Sequence, residues 1–484
     1  VYFVDQRIRM FSGFVQDDWK VTPKLTLNLG LRYDFSTPPL EAKNHLANFD
    51  TAGSGSLVFA KSGSLSDRAL VDIHNKNFAP RFGFAYSPNQ STVLRGGYGI
   101  YYLLFERFGS EDQMALNPPF LIENLAAAPS TARRPVFLLR NGFPADYLDP
   151  NNIHYQLTQI RTVDPHSPIP YVQEWSFGLQ QALPAHFVAT IDYVGTKSTH
   201  LDVLTDLNQP ANGVLPYPNF GYLERQTAQA SGVYHGLEAS AERRFSNGLS
   251  LKAAYTWSKS IDAAPQELEG NGIAVQNGMA VGAIRSVSDF DVPQRIVLSY
   301  VLELPFGKGK PLLNSGIGAA LLGGWRTSGV YTFASGLPFT VTSGGNYDSA
   351  IDPFGAATSL PNVVGTPRIV GSTNCWFYVS SNRACQALAP KVSDAFALPQ
   401  LGTFGNSGRN TLRGPHTNVF DFALMRDFRL MEKAQLQARW EVFNLTNTPQ
   451  FALPNSTISD SSVGTITSLA SDPRIMQFAV RLSF

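Results

Sequence analysis

Leu25-Thr26-Leu27-Asn28-Leu29-Gly30-Leu31-Arg32-Tyr33-Asp34-Phe35 alternates large apolar residues with polar or small ones without a break. A period of two belongs to a β-strand, so one face of this segment is greasy and the other wet. Its eleven residues, rising ~3.3 Å each and tilted by ~40°, project to about 28 Å, close to the ~25 Å apolar band of an outer-membrane barrel. Most strands are about half as long. The stretch therefore predicts a strand that crosses a membrane, with the Leu and aromatic row toward lipid and Asn28 and Arg32 toward a lumen.

The same alternation recurs along the chain. Phe82, Phe84 and Tyr86 lead through Ser87-Pro88-Asn89 to Leu94, Gly96, Tyr98 and Ile100, and Trp175, Phe177 and Leu179 lead past Pro184 to Phe187, Ala189, Ile191 and Tyr193. Each pair reads as a hairpin. Leu237 to Phe245 and Leu249 to Trp257 flank Ser246-Asn247-Gly248, an Asn-Gly turn signal. Further strands are expected at Phe11 to Trp19, Ile296 to Leu304, Trp325 to Phe333, Phe420 to Phe428, Leu436 to Val442 and Met476 to Phe484. The total is about thirteen.

Link lengths select the architecture. Short links at Val21 to Lys24, Ser87 to Ser91, Leu183 to His186, Ser246 to Gly248 and Arg429 to Lys433 alternate with long ones at Thr37 to Asn77, Leu103 to Ile169, Thr196 to Gly232, Ile261 to Pro293, Ser335 to Thr417 and Thr446 to Pro473. Only Pro305 to Gly324, of medium length, bends the rule. Short periplasmic turns and long extracellular loops are the habit of outer-membrane barrels. Trp19, Tyr33, Tyr86, Tyr193, Trp257, Trp325 and Tyr331 fall at or near strand ends, where interfacial aromatic girdles sit.

Composition narrows the alternatives. Hydrophobic residues make up 43% of the 484 and charged residues only 15%, below the ~25% usual in soluble domains. A formal net charge of +1 provides no footprint for nucleic acid. No apolar run approaches the ~18 residues of a spanning helix, the closest being Gly316 to Trp325. The chain starts Val1-Tyr2-Phe3 without Met or signal-peptide order. With an odd strand count and a periplasmic C-terminus, Val1 is expected on the extracellular side, which implies at least one upstream strand, because a chain exported through the periplasm must cross the membrane to reach that side.

The last segment, Met476-Gln477-Phe478-Ala479-Val480-Arg481-Leu482-Ser483-Phe484, alternates and ends in an aromatic. Met476, Phe478, Val480, Leu482 and Phe484 are the candidate barrel-assembly signal, read by the insertion machinery through strand pairing. Cys375 and Cys385, the only cysteines, could close a loop in an oxidising compartment or remain two free thiols.

Phe14-Val15-Gln16-Asp17-Asp18-Trp19-Lys20, Leu27 to Tyr33, Pro80 to Tyr86, Tyr255-Thr256-Trp257-Ser258-Lys259-Ser260 and Phe443-Asn444-Leu445-Thr446-Asn447 resemble the C-terminal barrel of TonB-dependent outer-membrane receptors, in particular the Oar-like group, over nearly the whole chain. The resemblance implies residues 1–484 as one barrel portion, about thirteen strands of a wall of about 22, with plug, TonB box and signal peptide absent from this sequence. It implies uptake of a nutrient at the outer membrane of a Gram-negative bacterium. The partners expected are outer-membrane lipid and lipopolysaccharide, the barrel-assembly machinery, the TonB complex through the missing N-terminal part, and a small-molecule or oligomeric nutrient, with no nucleic acid.

Catalytic and cofactor motifs are not found. The eight His residues show no helical His-x-x-x-His pair, and the two Cys lack zinc-site partners. No Gly-x-Ser-x-Gly elbow occurs. Gly307-Lys308-Gly309-Lys310 lacks the phosphate-loop spacing and, on this sequence, a following helix. The expectation is no enzyme, no cofactor and no metal. Asp289-Phe290-Asp291 before Arg295 reads as an acidic rim paired with Arg295 and its neighbours, or less readily as a cation or sugar site. Arg32, Arg81, Arg95, Lys252 and Arg439 are expected in the lumen. A passive or adhesive barrel is the alternative function, and a soluble secreted β-rich enzyme or propeller is a third.

Overall fold

The computed structural model describes residues 4–104, 113–123, 140, 142, 146–147, 149, 151–264, 274–431 and 434–484. The expected links after Leu103, after Ile261 and at Arg429 to Lys433 lie partly outside these residues. Thirteen long strands build a wall: β1 (Met10–Thr22), β2 (Leu25–Ser36), β3 (Phe78–Asn89), β4 (Thr92–Tyr102), β5 (Tyr171–Leu183), β6 (Phe187–Asp206), β7 (Leu223–Ser246), β8 (Leu249–Asp262), β9 (Gln294–Glu303), β10 (Trp325–Ala334), β11 (Thr417–Arg429), β12 (Gln435–Phe443) and β13 (Ile475–Ser483). Each pairs antiparallel with the next in chain order, a pure meander. Ile160–Val163 adds in parallel to the start of β7, and Ser286–Val287 antiparallel to the end of β8.

Register assigns the faces. Leu29 lies opposite Phe82, Phe82 opposite Tyr98 and Tyr98 opposite Trp175, a continuous apolar row across four strands. One residue away, Asn28 lies opposite Asp18 and Gly83, Gly83 opposite Gly97, and Gly97 opposite Ser176. The apolar row is exposed: Leu29, Phe82 and Tyr98 all show large accessible surfaces. In water this would be a costly patch, whereas in hydrocarbon it is the expected surface. Two β1 residues depart from the pattern: Asp17, opposite Leu29, shares the outward row with Trp19, and Phe14, opposite Arg32, shares the inward one.

Tight turns join the strands at one rim. At Asn247-Gly248 both residues adopt positive φ (50° and 76°), the backbone of a primed hairpin turn that Asn and Gly tolerate best. The medium link before β10 carries a short helix.

The expected loop Thr196 to Gly232 is corrected. β6 runs 20 residues and β7 runs 24, leaving only residues 207–222 between them. Apolar alternation fails at Lys197-Ser198-Thr199-His200, but pairing continues through bulges near Leu201 because Val203 and Ala230 bury in a core outside the membrane band. The described parts of the other long links are folded too. They contain α1 (Leu65–Ala69), α3 (Gly345–Ile351) and α4 (Arg383–Leu388), with α2 (Gly316–Leu322) on the opposite rim. Phe339, Val341, Phe377, Phe396, Ile458 and Val463 form one core joining the β10–β11 and β12–β13 links. Leu40, Leu46, Met114 and Val163 form another, joining the β2–β3 and β4–β5 links. Most buried apolar side chains lie in this cap.

Candidate ligand-binding surface

The inward face of the wall is a ladder of paired charges. Arg32 donates to Asp34 at 2.8 Å, which also accepts from Ser12 at 2.6 Å. Asn28 donates to Asp18 at 2.6 Å, Arg95 lies 3.3 Å from Asp192, and Arg326 lies 3.5 Å from Asp427. Arg439 bonds Glu441, which accepts from Gln477 at 2.7 Å. Arg81 stacks over the Tyr101 ring at 4.7 Å, and Lys252 faces Glu242 at 3.9 Å. All five cations expected in the lumen therefore stand on the polar side of the sheet. Partly exposed pairs of this kind add little stability, but they make a wetted wall.

At the long-loop rim the charges become buried. The guanidinium of Arg409 is completely buried and reaches Asp289 at 3.0 Å, the Asp262 carbonyl at 3.1 Å and the Asp262 carboxylate. Arg413 bonds the Asp291 carboxylate and, at 3.0 Å, its carbonyl, while Asp291 also accepts from the Ser260 amide at 2.6 Å. Asn410 donates to Asp289 at 2.6 Å. The acidic rim is thus paired, but with Arg409 and Arg413 instead of Arg295. Among the described residues no ion pair involves Arg295. It lines a hollow in the wall together with Tyr234, Glu238, Thr256 and Phe290, the last of them 57% exposed. No spacing in the sequence points to Arg409 or Arg413, because their partners lie 120 to 147 residues away.

A second buried contact ties β6 to α3. Asp206 accepts from the amides of Asn208 (2.8 Å) and Leu223 (3.3 Å), and Asp352 from those of Phe354 (2.9 Å) and Ala356 (3.1 Å). Burial, together with the neighbouring Asp352 charge, pushes the Asp206 carboxyl up to about 8; burial raises Asp352 as well. Burial of this kind favours the neutral carboxyl. Gln276 accepts from the amides of Leu360 (2.7 Å) and Gly405 (3.2 Å), a second tie between the β8–β9 and β10–β11 links.

Cys375 and Cys385 form a buried disulfide, Cα atoms 5.1 Å apart, that ties α4 to the segment before it in the cap. Met476, Phe478, Val480 and Leu482 stand opposite Val442, Trp440, Ala438 and Leu436 on the outward face; Phe484 follows β13 and is 98% exposed. Gly307-Lys308-Gly309-Lys310 forms part of the β9–β10 turn, where Lys310 bonds Glu303 at 2.7 Å. A helix does follow, contrary to expectation, but it begins only at Gly316, so the lysines do not cap it. Among the described residues no group of three or more His, Cys, Asp or Glu could hold a metal ion.

A family model described as "outer membrane beta barrel domain" matches residues 1–477. No protein of curated function matches. Among solved structures the chain is similar to the outer membrane transporter YddB from Escherichia coli (12% identity, covering 98% of this chain and 45% of that one, TM-score 0.48). It is also similar to the ferripyoverdine receptor of Pseudomonas aeruginosa (11%, 99% and 39%, TM-score 0.46) and to the ferric-catecholate import receptor Fiu from E. coli (12%, 99% and 45%, TM-score 0.44). The chain spans less than half the length of each.

Proposed function

Because the chain belongs to the outer-membrane β-barrel family, we propose that it supplies the wall and ligand-facing cap of a TonB-dependent, Oar-like receptor that binds and imports a nutrient across the outer membrane. The observation that carries this reading is the cap. Long links that share hydrophobic cores and buried ion pairs are preorganised, and preorganisation is what a specific binding surface needs. A passive pore needs no such structure. The Oar-like sequence segments support energy coupling, which the plug and TonB box of a full-length protein would provide within a wall of about 22 strands.

The remaining partners belong to the same proposal. Outer-membrane lipid and lipopolysaccharide cover the apolar face, and the assembly machinery reads Met476, Phe478, Val480, Leu482 and Phe484 on β13, the last strand of the ladder. The test is uptake by cells expressing the full-length protein, screened over candidate nutrients with and without a working TonB complex. Uptake lost on removing TonB supports the reading. Uptake that persists makes the protein a passive barrel, and surface adhesion without uptake makes it an adhesin.

A further inference from the structure

The link between β9 and β10 differs from the other turns at its rim. From Pro311 to Trp325 fifteen residues carry no charge, and the link contains α2. A seven-residue helix has little stability of its own. This one is clamped at its C-terminal end: the Arg426 guanidinium donates to the carbonyls of Leu321 (2.8 Å) and Ala320, and the Trp325 indole donates to Leu321 at 3.0 Å. Cations bonded to the last carbonyls are favourable there.

The clamp fixes where the helix lies. Arg426 pairs in register with Trp325 and Ala438, in the same outward row as Phe422 and Leu424, and its guanidinium lies over Phe428 (4.6 Å) and Trp325 (5.7 Å). A cation on the lipid face must reach a polar level, as Arg426 does by snorkelling along two aromatic rings. The helix it holds is therefore docked outside the wall at the short-turn rim. Ile317 is 79% exposed, Leu321 64% and Leu322 50%, with Leu312 and Leu313 also exposed, as is Lys308 earlier in the link.

We propose that α2 with Leu312 and Leu313 lies in the headgroup–acyl boundary of the periplasmic leaflet, so that the occupant of this apolar face is membrane phospholipid. The face adjoins the rim ends of the outward rows of β10 and β11 at Trp325 and Arg426, and Lys308, exposed in the same link, supplies a cation for lipid phosphate. Its effect is to anchor the rim at a fixed depth.

The test places an environment-sensitive fluorophore on Ile317→Cys in the full-length protein, labelled without reductant and reconstituted in phosphatidylethanolamine–phosphatidylglycerol vesicles. The expected result is blue-shifted emission, quenched by headgroup-proximal nitroxide lipids more than by aqueous iodide. The same label on Leu401→Cys, an exposed cap position, reports water. Adding Arg426→Gln moves the emission at 317 toward red while heat-modifiable mobility, the sign of a folded barrel, is unchanged. The proposal fails if iodide quenches position 317 as strongly as position 401. It also fails if the blue shift grows with the protein-to-lipid ratio, which would make the occupant a second copy.

Discussion

The wall and the cap are the same chain folded for two solvents. In the wall, large apolar side chains such as Phe11, Val15, Phe177 and Phe478 are exposed on the outward face, and ion pairs such as Arg95–Asp192 and Arg326–Asp427 stand partly exposed along the lumen. In the cap the order is that of a soluble protein, with Phe377, Val341 and Val463 buried and Arg409 locked among carboxylates. Backbone pairing carries the wall, where each peptide must be bonded because lipid offers no substitute. Side-chain packing and buried polar networks carry the cap. Changes that damage one should therefore spare the other.

The largest effect is expected at Arg409. Arg409→Met strands Asp262 and Asp289 in a dry site, and breaking a buried ion network from one side costs about 3–5 kcal/mol. Limited proteolysis should open the cap of this variant while the barrel retains its heat-modifiable mobility; loss of both would mean that the two regions fold as one unit. On the wall, Leu29→Arg should cost ~2–4 kcal/mol of membrane folding and Asn28→Arg little, since Asn28 already faces the lumen beside Asp18. Equal effects in a urea refolding assay into vesicles would erase the distinction between faces.

Replacing Cys375 and Cys385 by Ser should weaken the cap by about 2–4 kcal/mol, read as faster cleavage near α4 with unchanged insertion.

A pH effect completes the set. Asp206 is raised in the folded state to about 8 from 3.8, so the folded form holds the extra proton between those values. Cap stability should accordingly fall as pH rises from about 4 to 8, and Asp206→Asn should flatten the slope, measured by protease resistance across that range. A slope of opposite sign would assign the burial to a paired carboxylate.

How much of this was legible follows from the same contrast. The segment Leu25 to Phe35 declares its faces within one strand, because period two is a local property; β1 to β13 follow from such segments, and Asn247-Gly248 marks its own turn. The extension of β6 beyond Tyr193 was not legible, since Lys197 to His200 lacks alternation and pairs only because Val203 finds Val275 and Ile284 in the cap. For the same reason Asp289-Phe290-Asp291 suggested the nearby Arg295, whereas Arg409 and Arg413 arrive from another link. Helix α2 was hidden by Gly316 and Gly318 within it and Gly323 just after it, and depends on Arg426, a residue of another strand. Local periodicity writes the wall; contacts between distant links write the cap.

The central claim is that the odd-numbered residues of 25–35 meet lipid and the even-numbered ones water. Spin labels placed singly from 25 to 35 in the reconstituted full-length protein test it directly, read by collision with oxygen, which concentrates in hydrocarbon, and with a water-soluble nickel chelate. The predicted result is strict alternation, oxygen at 27, 29, 31 and 33 and nickel at 28, 30 and 32. Odd positions closed to both reagents would mean that the Leu row packs into a dry protein interior, and the barrel wall would be wrong.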